Sequence, residues 1–219
     1  MHDQTTAPGR DGERIDSWSV IHDEVFAGLN HALSNRVMGL ESFLTIAERR
    51  GTADWSGVMA EQARLERLLQ LYRLLEEAPR ERPEPMHVSE PAADATDLLG
   101  HHLGLRDLVV EGESAPDGAV VSLPRRHAVR AFLVLLYEAA RRADPAWGRV
   151  SWRYEIGADD VTVMVTTKPA LDGEADASLL AEAAEFAGGA PDAVWYLLDP
   201  GASFVAALKL PLVRSRRGH

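Results

Sequence analysis

The chain contains no cysteine and eight histidines, so nucleophilic chemistry near neutral pH falls first to imidazole. One histidine stands out by its position. His31 lies within residues 15–50, where Trp18, Ile21, Val25, Leu29, Leu33, Leu40, Phe43 and Ala47 recur at helical steps. With Leu29 at zero on a helical wheel, Trp18, Val25, Leu40, Phe43 and Ala47 fall within about 40° and His31 near 200°. The spacing turns His31 away from the apolar stripe, towards solvent. Ala27 and Met38 flank it as a small apolar patch, Glu24 lies beside it, and Asn35 follows one turn later. An exposed imidazole with a flat apolar border is a nucleophile that a docked protein could reach. Most surface histidines do nothing, so position alone assigns no role.

The other histidines offer less. His22 lies about 180° round the same helix from His31, so the two cannot share a metal ion. His101 and His102 are adjacent, and adjacent helical side chains diverge. No histidine set has convincing metal-ligand spacing, and no metal site is expected.

The elements that position His31 follow from pattern. Gly51 ends the first helix, and Arg49 and Arg50 suit its negative end. Thr52 or Asp54 can cap a second helix running to about Ala78, with Val58, Met59, Leu65, Leu68, Leu69, Leu71, Tyr72, Leu74 and Leu75 as its stripe. So short a connection makes the two helices antiparallel. One hairpin cannot cover stripes this long, and a two-fold dimer forming a four-helix bundle is the simplest completion.

Residues 79–91 carry four prolines and several charges, which reads as a linker or extended crossover. Beyond it, 92–104 reads as helix, 108–111 and 119–123 as strands, and 125–143 as a strong helix. Segments 150–156 and 161–167 form a hairpin, 176–187 and 191–198 read as helices, and 203–210 is a final strand. The fold class is α+β: an N-terminal helical hairpin and a C-terminal α/β sandwich with helices on one face of a mixed sheet. The expected domains are a disordered leader (1–14), the hairpin (15–79), a linker (80–91), the α/β domain (92–213) and a basic tail (214–219).

Composition narrows the partners. A net charge of −11 disfavours nucleic acid, and the basic cluster at Arg214, Arg216 and Arg217 is short and terminal. No apolar run approaches the roughly 20 residues of a membrane span, and the N-terminus has no signal-peptide core. A cytoplasmic location fits.

His31-Ala32-Leu33-Ser34-Asn35-Arg36-Val37 resembles the phosphoacceptor box of two-component histidine kinases and their phosphotransferase relatives. In that box a histidine on the first helix of a dimerising hairpin is followed, four residues on, by Asn or Thr. The second half resembles the kinases' ATP-binding domain in layout. Residues 131–140 stand where the kinases have an asparagine-bearing helix, and 199–211 look like their closing hairpin. The nucleotide motifs are missing. Val134 and Glu138 occupy the asparagine positions, Thr166-Thr167-Lys168-Pro169-Ala170 replaces the adenine-gripping turn, and Gly188-Gly189 is the only remnant of a glycine loop. Ala32 replaces the acidic residue that usually follows the histidine.

The resemblance implies a histidine phosphotransferase on a degenerate kinase scaffold, similar to the sporulation and alphaproteobacterial cell-cycle phosphotransferases. Such a protein relays a phosphoryl group between response-regulator receiver domains without ATP. It is a homodimer and carries no cofactor, Mg²⁺ residing on the partner receiver. His31 would be the carrier, with Asn35 bonding near the transferring group and Arg36 adding positive charge. Ala27, Met38 and Glu41 would form the docking face. Glu138 and Lys168 are expected at the surface, without a role. The alternatives are a non-catalytic dimeric scaffold or inhibitor of a kinase or regulator, an atypical ATP-dependent histidine kinase, and an unrelated α/β protein.

Overall fold

The computed structural model describes residues 17–213, apart from 52–53, 77–80, 106, 172–175, 190–193 and 200–201. The proposed leader and basic tail, and Thr52, lie outside the described residues. Helix α1 runs Ser17–Arg50 and α2 runs Trp55–Leu75. Between them Gly51 takes a left-handed φ of 69°, a conformation that glycine adopts without steric cost, and its N–H donates to the Ala47 carbonyl at 2.9 Å. Asp54 caps α2, accepting from the Ser56 hydroxyl at 2.7 Å and the Gly57 N–H at 3.1 Å. The Ser56 bond, with the Gly57 bond behind it, holds the Asp54 carboxyl below its ordinary range. Helix α2 stops at Leu75, short of Ala78, because Glu76 is extended (φ −62°, ψ 145°).

The remainder is built from β1 (Glu84–His87), α3 (Ser89–Leu99), β2 (Val110–Gly112), β3 (Val120–Leu123), α4 (Arg125–Ala140), β4 (Arg149–Ile156), β5 (Asp160–Lys168), α5 (Ala177–Phe186), β6 (Val194–Asp199) and β7 (Ser203–Pro211). Strands β2-β4-β5-β7-β6 form one sheet, in which only the β2–β4 pair is parallel, and β1 pairs antiparallel with β3 in a second. Along β5, Val161, Val163, Val165 and Thr167 are buried beneath the helices, alternating with partly exposed residues. Helix α4 fills the layer above, with Phe132, Leu133, Leu135 and Leu136 among its buried side chains.

Three expectations change. The proline-rich segment is no free linker, since Met86 and Val88 are buried and β1 pairs with β3. Pro85 is tolerated because β1 is bonded on one side only, and Pro91 sits in the first turn of α3, where a missing N–H costs little. Residues 194–198, part of the 191–198 segment read as helix, lie in strand β6, which pairs antiparallel with β7. A short apolar run does not distinguish helix from strand by period, and its neighbour in space decides. Glu138, expected at the surface, is fully buried. It accepts from Arg142 Nε at 2.9 Å, from Arg141 Nε, and from the Asp176 N–H at 3.0 Å. Its charge is thus compensated on three sides, while Lys168 is exposed.

The hairpin is seated on the α/β domain through Arg130 of α4. Its buried guanidinium donates to the Leu75 and Glu76 carbonyls at 2.9 Å, the C-terminus of α2. It also lies 5.0 Å from the Trp18 ring of α1 and 5.9 Å from the Phe186 ring of α5. A second tie is Asp94 of α3, buried between Arg67 of α2 (2.9 Å) and Arg125 of α4 (2.8 Å). Bonds to Asp97 and Asp94 raise the Arg67 guanidinium's pKa against the opposing effect of its burial.

Replacing Arg130 by Leu keeps most of the volume but leaves the α2 carbonyls without this donor and removes the stacking on Trp18. Urea unfolding should show a loss of about 2–4 kcal/mol, the cost of breaking a buried charged network. A change below about 0.5 kcal/mol would mean that the hairpin is held elsewhere.

Candidate functional site

His31 is exposed on α1, as the wheel expects. Asn35 Nδ2 lies 3.2 Å from His31 Nε2. When the amide donates, Nε2 carries the lone pair and the ring proton sits on Nδ1. Asn35 thus selects the tautomer and fixes the ring against the helix. Ala27, Met38 and Glu41 are all exposed on α1, so the surface around His31 is open in the direction expected for docking.

Arg36 turns partly inward. Its guanidinium donates to Glu61 of α2 at 3.4 Å while remaining 43% exposed on its side chain. Glu61, buried, also accepts from Arg64. This pairing anchors α1 to α2 and commits part of the charge expected to assist His31.

His31 does not stand on an isolated helix. It shares a cleft of about 240 Å³ with Gly28, Ala32, Asn35, Arg36, Gly100, His101 and Leu103. The far wall is thus the turn after α3, from the α/β domain. A larger cleft of about 390 Å³ adjoins it, sharing Ala32, Arg36, Gly100 and His101 and extending to Arg64 and Arg67 of α2. Gly28 makes this apposition possible, because a Cβ there would lie 1.7 Å from the His101 carbonyl oxygen. A glycine inside a long helix costs about 1 kcal/mol relative to alanine, and that cost is the one sequence signal for close approach at this point. His101 itself carried no signal, since its partners come from α1.

His101 is half-buried, and its pKa lies below the ordinary imidazole value, chiefly through burial and also through Arg36, with Asp97 opposing. His102 is buried, its ring 5.4 Å from the Tyr137 ring. Burial lowers its pKa too, against a weaker pull from Glu24. The two rings diverge, one into the His31 cleft and the other against α4, but from a turn beyond the end of α3 at Leu99 and not from the helix expected over 92–104.

The positions that the kinase resemblance marks for nucleotide handling have other partners. Val134 is buried in the core and Glu138 serves Arg141, Arg142 and the start of α5. Gly188 and Gly189 close α5, with φ of 106° and 75° and N–H bonds to the Glu185 and Ala184 carbonyls. Among the described residues no cluster of His, Asp and Glu is placed to hold a metal ion, and no helix is long and apolar enough to cross a membrane.

No family model matches the chain, and no curated protein matches it. Solved structures similar to it at low identity include histidine kinases. The catalytic domain of the histidine kinase ThkA aligns at 12% identity and a TM-score of 0.49, covering 59% of this chain and 97% of that one. The mycobacterial sensor histidine kinase MprB aligns at 18% identity and a TM-score of 0.48, with 59% and 97% covered. A histidine kinase from Burkholderia phymatum aligns at 13% identity and a TM-score of 0.46, with 90% and 98% covered.

Two glycines of α1 test the cleft against helix propensity. Gly28→Ala should destabilise by about 1–3 kcal/mol in urea unfolding, because the new methyl collides with backbone. Gly39→Ala, whose Cβ would meet nothing nearer than Glu61 at 3.9 Å, should stabilise by about 0.5–1 kcal/mol. Equal effects at both positions would contradict the close contact between α1 and the turn after α3.

Proposed function

We propose that the protein is a histidine phosphotransferase that carries a phosphoryl group on His31 between response-regulator receiver domains. The observation that carries this reading is the exposed His31 ring with the Asn35 amide 3.2 Å from Nε2, on the open side of a long helix. A solvated histidine needs no such partner, whereas a nucleophile benefits from a fixed tautomer and a rigid mount. The sequence around it, His31 to Val37, resembles a phosphoacceptor box.

In the proposed reaction a phosphorylated receiver docks over Ala27, Met38 and Glu41. The Nε2 lone pair attacks phosphorus in line, the P–N bond forms, and the aspartyl P–O bond breaks with its electron pair leaving on the carboxylate. The receiver supplies Mg²⁺, so this chain needs no metal of its own. Asn35 releases Nε2 as the new bond forms and can then donate to a phosphoryl oxygen. Arg36, still partly exposed beside Glu61, adds positive charge at the edge of the cleft.

The homodimer belongs to the same proposal. Phe26, Val37 and Leu44 of α1 are 40%, 44% and 56% exposed, and they share a strip about 60–80° from Leu29 on the wheel. Covering that strip with a second hairpin leaves His31 about 120° or more away, open to a receiver.

Incubation with a panel of phosphorylated receiver domains tests the reading. Acid-labile label should appear on the chain, vanish in His31→Ala, and form about 10- to 100-fold more slowly in Asn35→Ala, the scale of one lost positioning contact. Complexes that form without label, unaffected by His31→Ala, would favour the scaffold or inhibitor. The variant Val37→Glu/Leu44→Glu should run as a monomer in light scattering, and a parent protein that is already monomeric would remove the dimer.

A further inference from the structure

Resting on the phosphotransfer reading, we infer that His101, from the α/β domain, is the base that takes the His31 ring proton during transfer. Attack through Nε2 leaves the His31 ring cationic unless the Nδ1 proton departs as the P–N bond forms. A base positioned to take it raises the nucleophilicity of Nε2. Ala32, next in the chain, has no group to do so.

The cleft supplies the answer by its chemistry. Among the described residues that line it, Gly28, Ala32, Gly100 and Leu103 have no titratable side chain. Asn35 does not accept a proton at neutral pH, and Arg36 is permanently charged. His101 alone can change protonation state there. Its surroundings keep it a free base: burial and Arg36 of α1 disfavour the imidazolium, and Asp97 of α3 only partly offsets them. Across the adjoining cleft Arg67 of α2 is paired with that same Asp97, and Arg64 with Glu61. Proton transfer to His101, directly or across one water, gives a neutral phosphorylated His31 and an imidazolium at His101, which then loses its proton to solvent. The turn that carries His101 is held against α1 at Gly28, so the base is delivered by the domain's packing and not by the hairpin.

The test uses phosphoramidate as a small phosphodonor and reads His31 labelling in the full-length protein at fixed pH. His101→Gln and His101→Asn should label more slowly by about 100-fold or more, the low end of the range for a lost acid–base group. The tertiary amine N-methylmorpholine should restore their rate in proportion to its concentration while leaving the parent unchanged. A merely structural role for His101 does not produce that rescue. Variants that label at the parent rate, or that are slow and unrescued, overturn the assignment while His31 remains the carrier. A parent protein that takes no label at His31 from phosphoramidate or from any phosphorylated receiver overturns the phosphotransfer reading itself, and this inference with it.

Discussion

Arg130 reaches out of the α/β domain's main helix to the end of the hairpin, and the placement of everything on α1 depends on it. Its guanidinium completes the last carbonyls of α2 and stacks on Trp18 and Phe186, so one buried cation joins three helices. A charge is buried at this cost only where several acceptors and ring faces share it. Asp94, held between Arg67 and Arg125, repeats the device one layer away. With the hairpin pinned at both points, Ile21, Val25 and Leu29 of α1 are buried and the register of α1 against α3 is set. That register brings Gly28 onto the His101 carbonyl and gives His31 a walled cleft in place of a bare helix surface.

The two halves of α1 have different duties. The N-terminal half belongs to the core, and His31 falls at the border. Beyond it, Val37, Leu44 and Ile46 are substantially exposed. A helix that passes from core element to more exposed surface beyond Leu29 presents its reactive residue at the edge of a rigid body, which favours both positioning and access.

The hairpin is legible in the sequence because its cues are local: a helical apolar period, Gly51 at the turn and Asp54 at the cap. The exposure of His31 and its adjacency to Asn35 follow from the same period. What the period does not carry is contact with distant segments. β1 is hidden under prolines, and β6 has the composition of a buried run. Each is decided by the strand it pairs with, β3 and β7. Glu138 is buried because Arg141, Arg142 and the start of α5 converge on it, and the α5 contact is 38 residues away in sequence. His101 enters the site for the same kind of reason, through Gly28, whose spacing to His101 shows no pattern. The hairpin half of the site was therefore readable, and the domain half was not.

The most direct measurement of the central claim is the position of the phosphoryl group after exposure to a phosphorylated receiver, read by ³¹P NMR and fragment mass. The geometry, with the Asn35 amide fixing the tautomer, predicts a single phosphoramidate on Nε2 of His31. A phosphoryl group on another residue or on Nδ1, or none with any receiver, would contradict it.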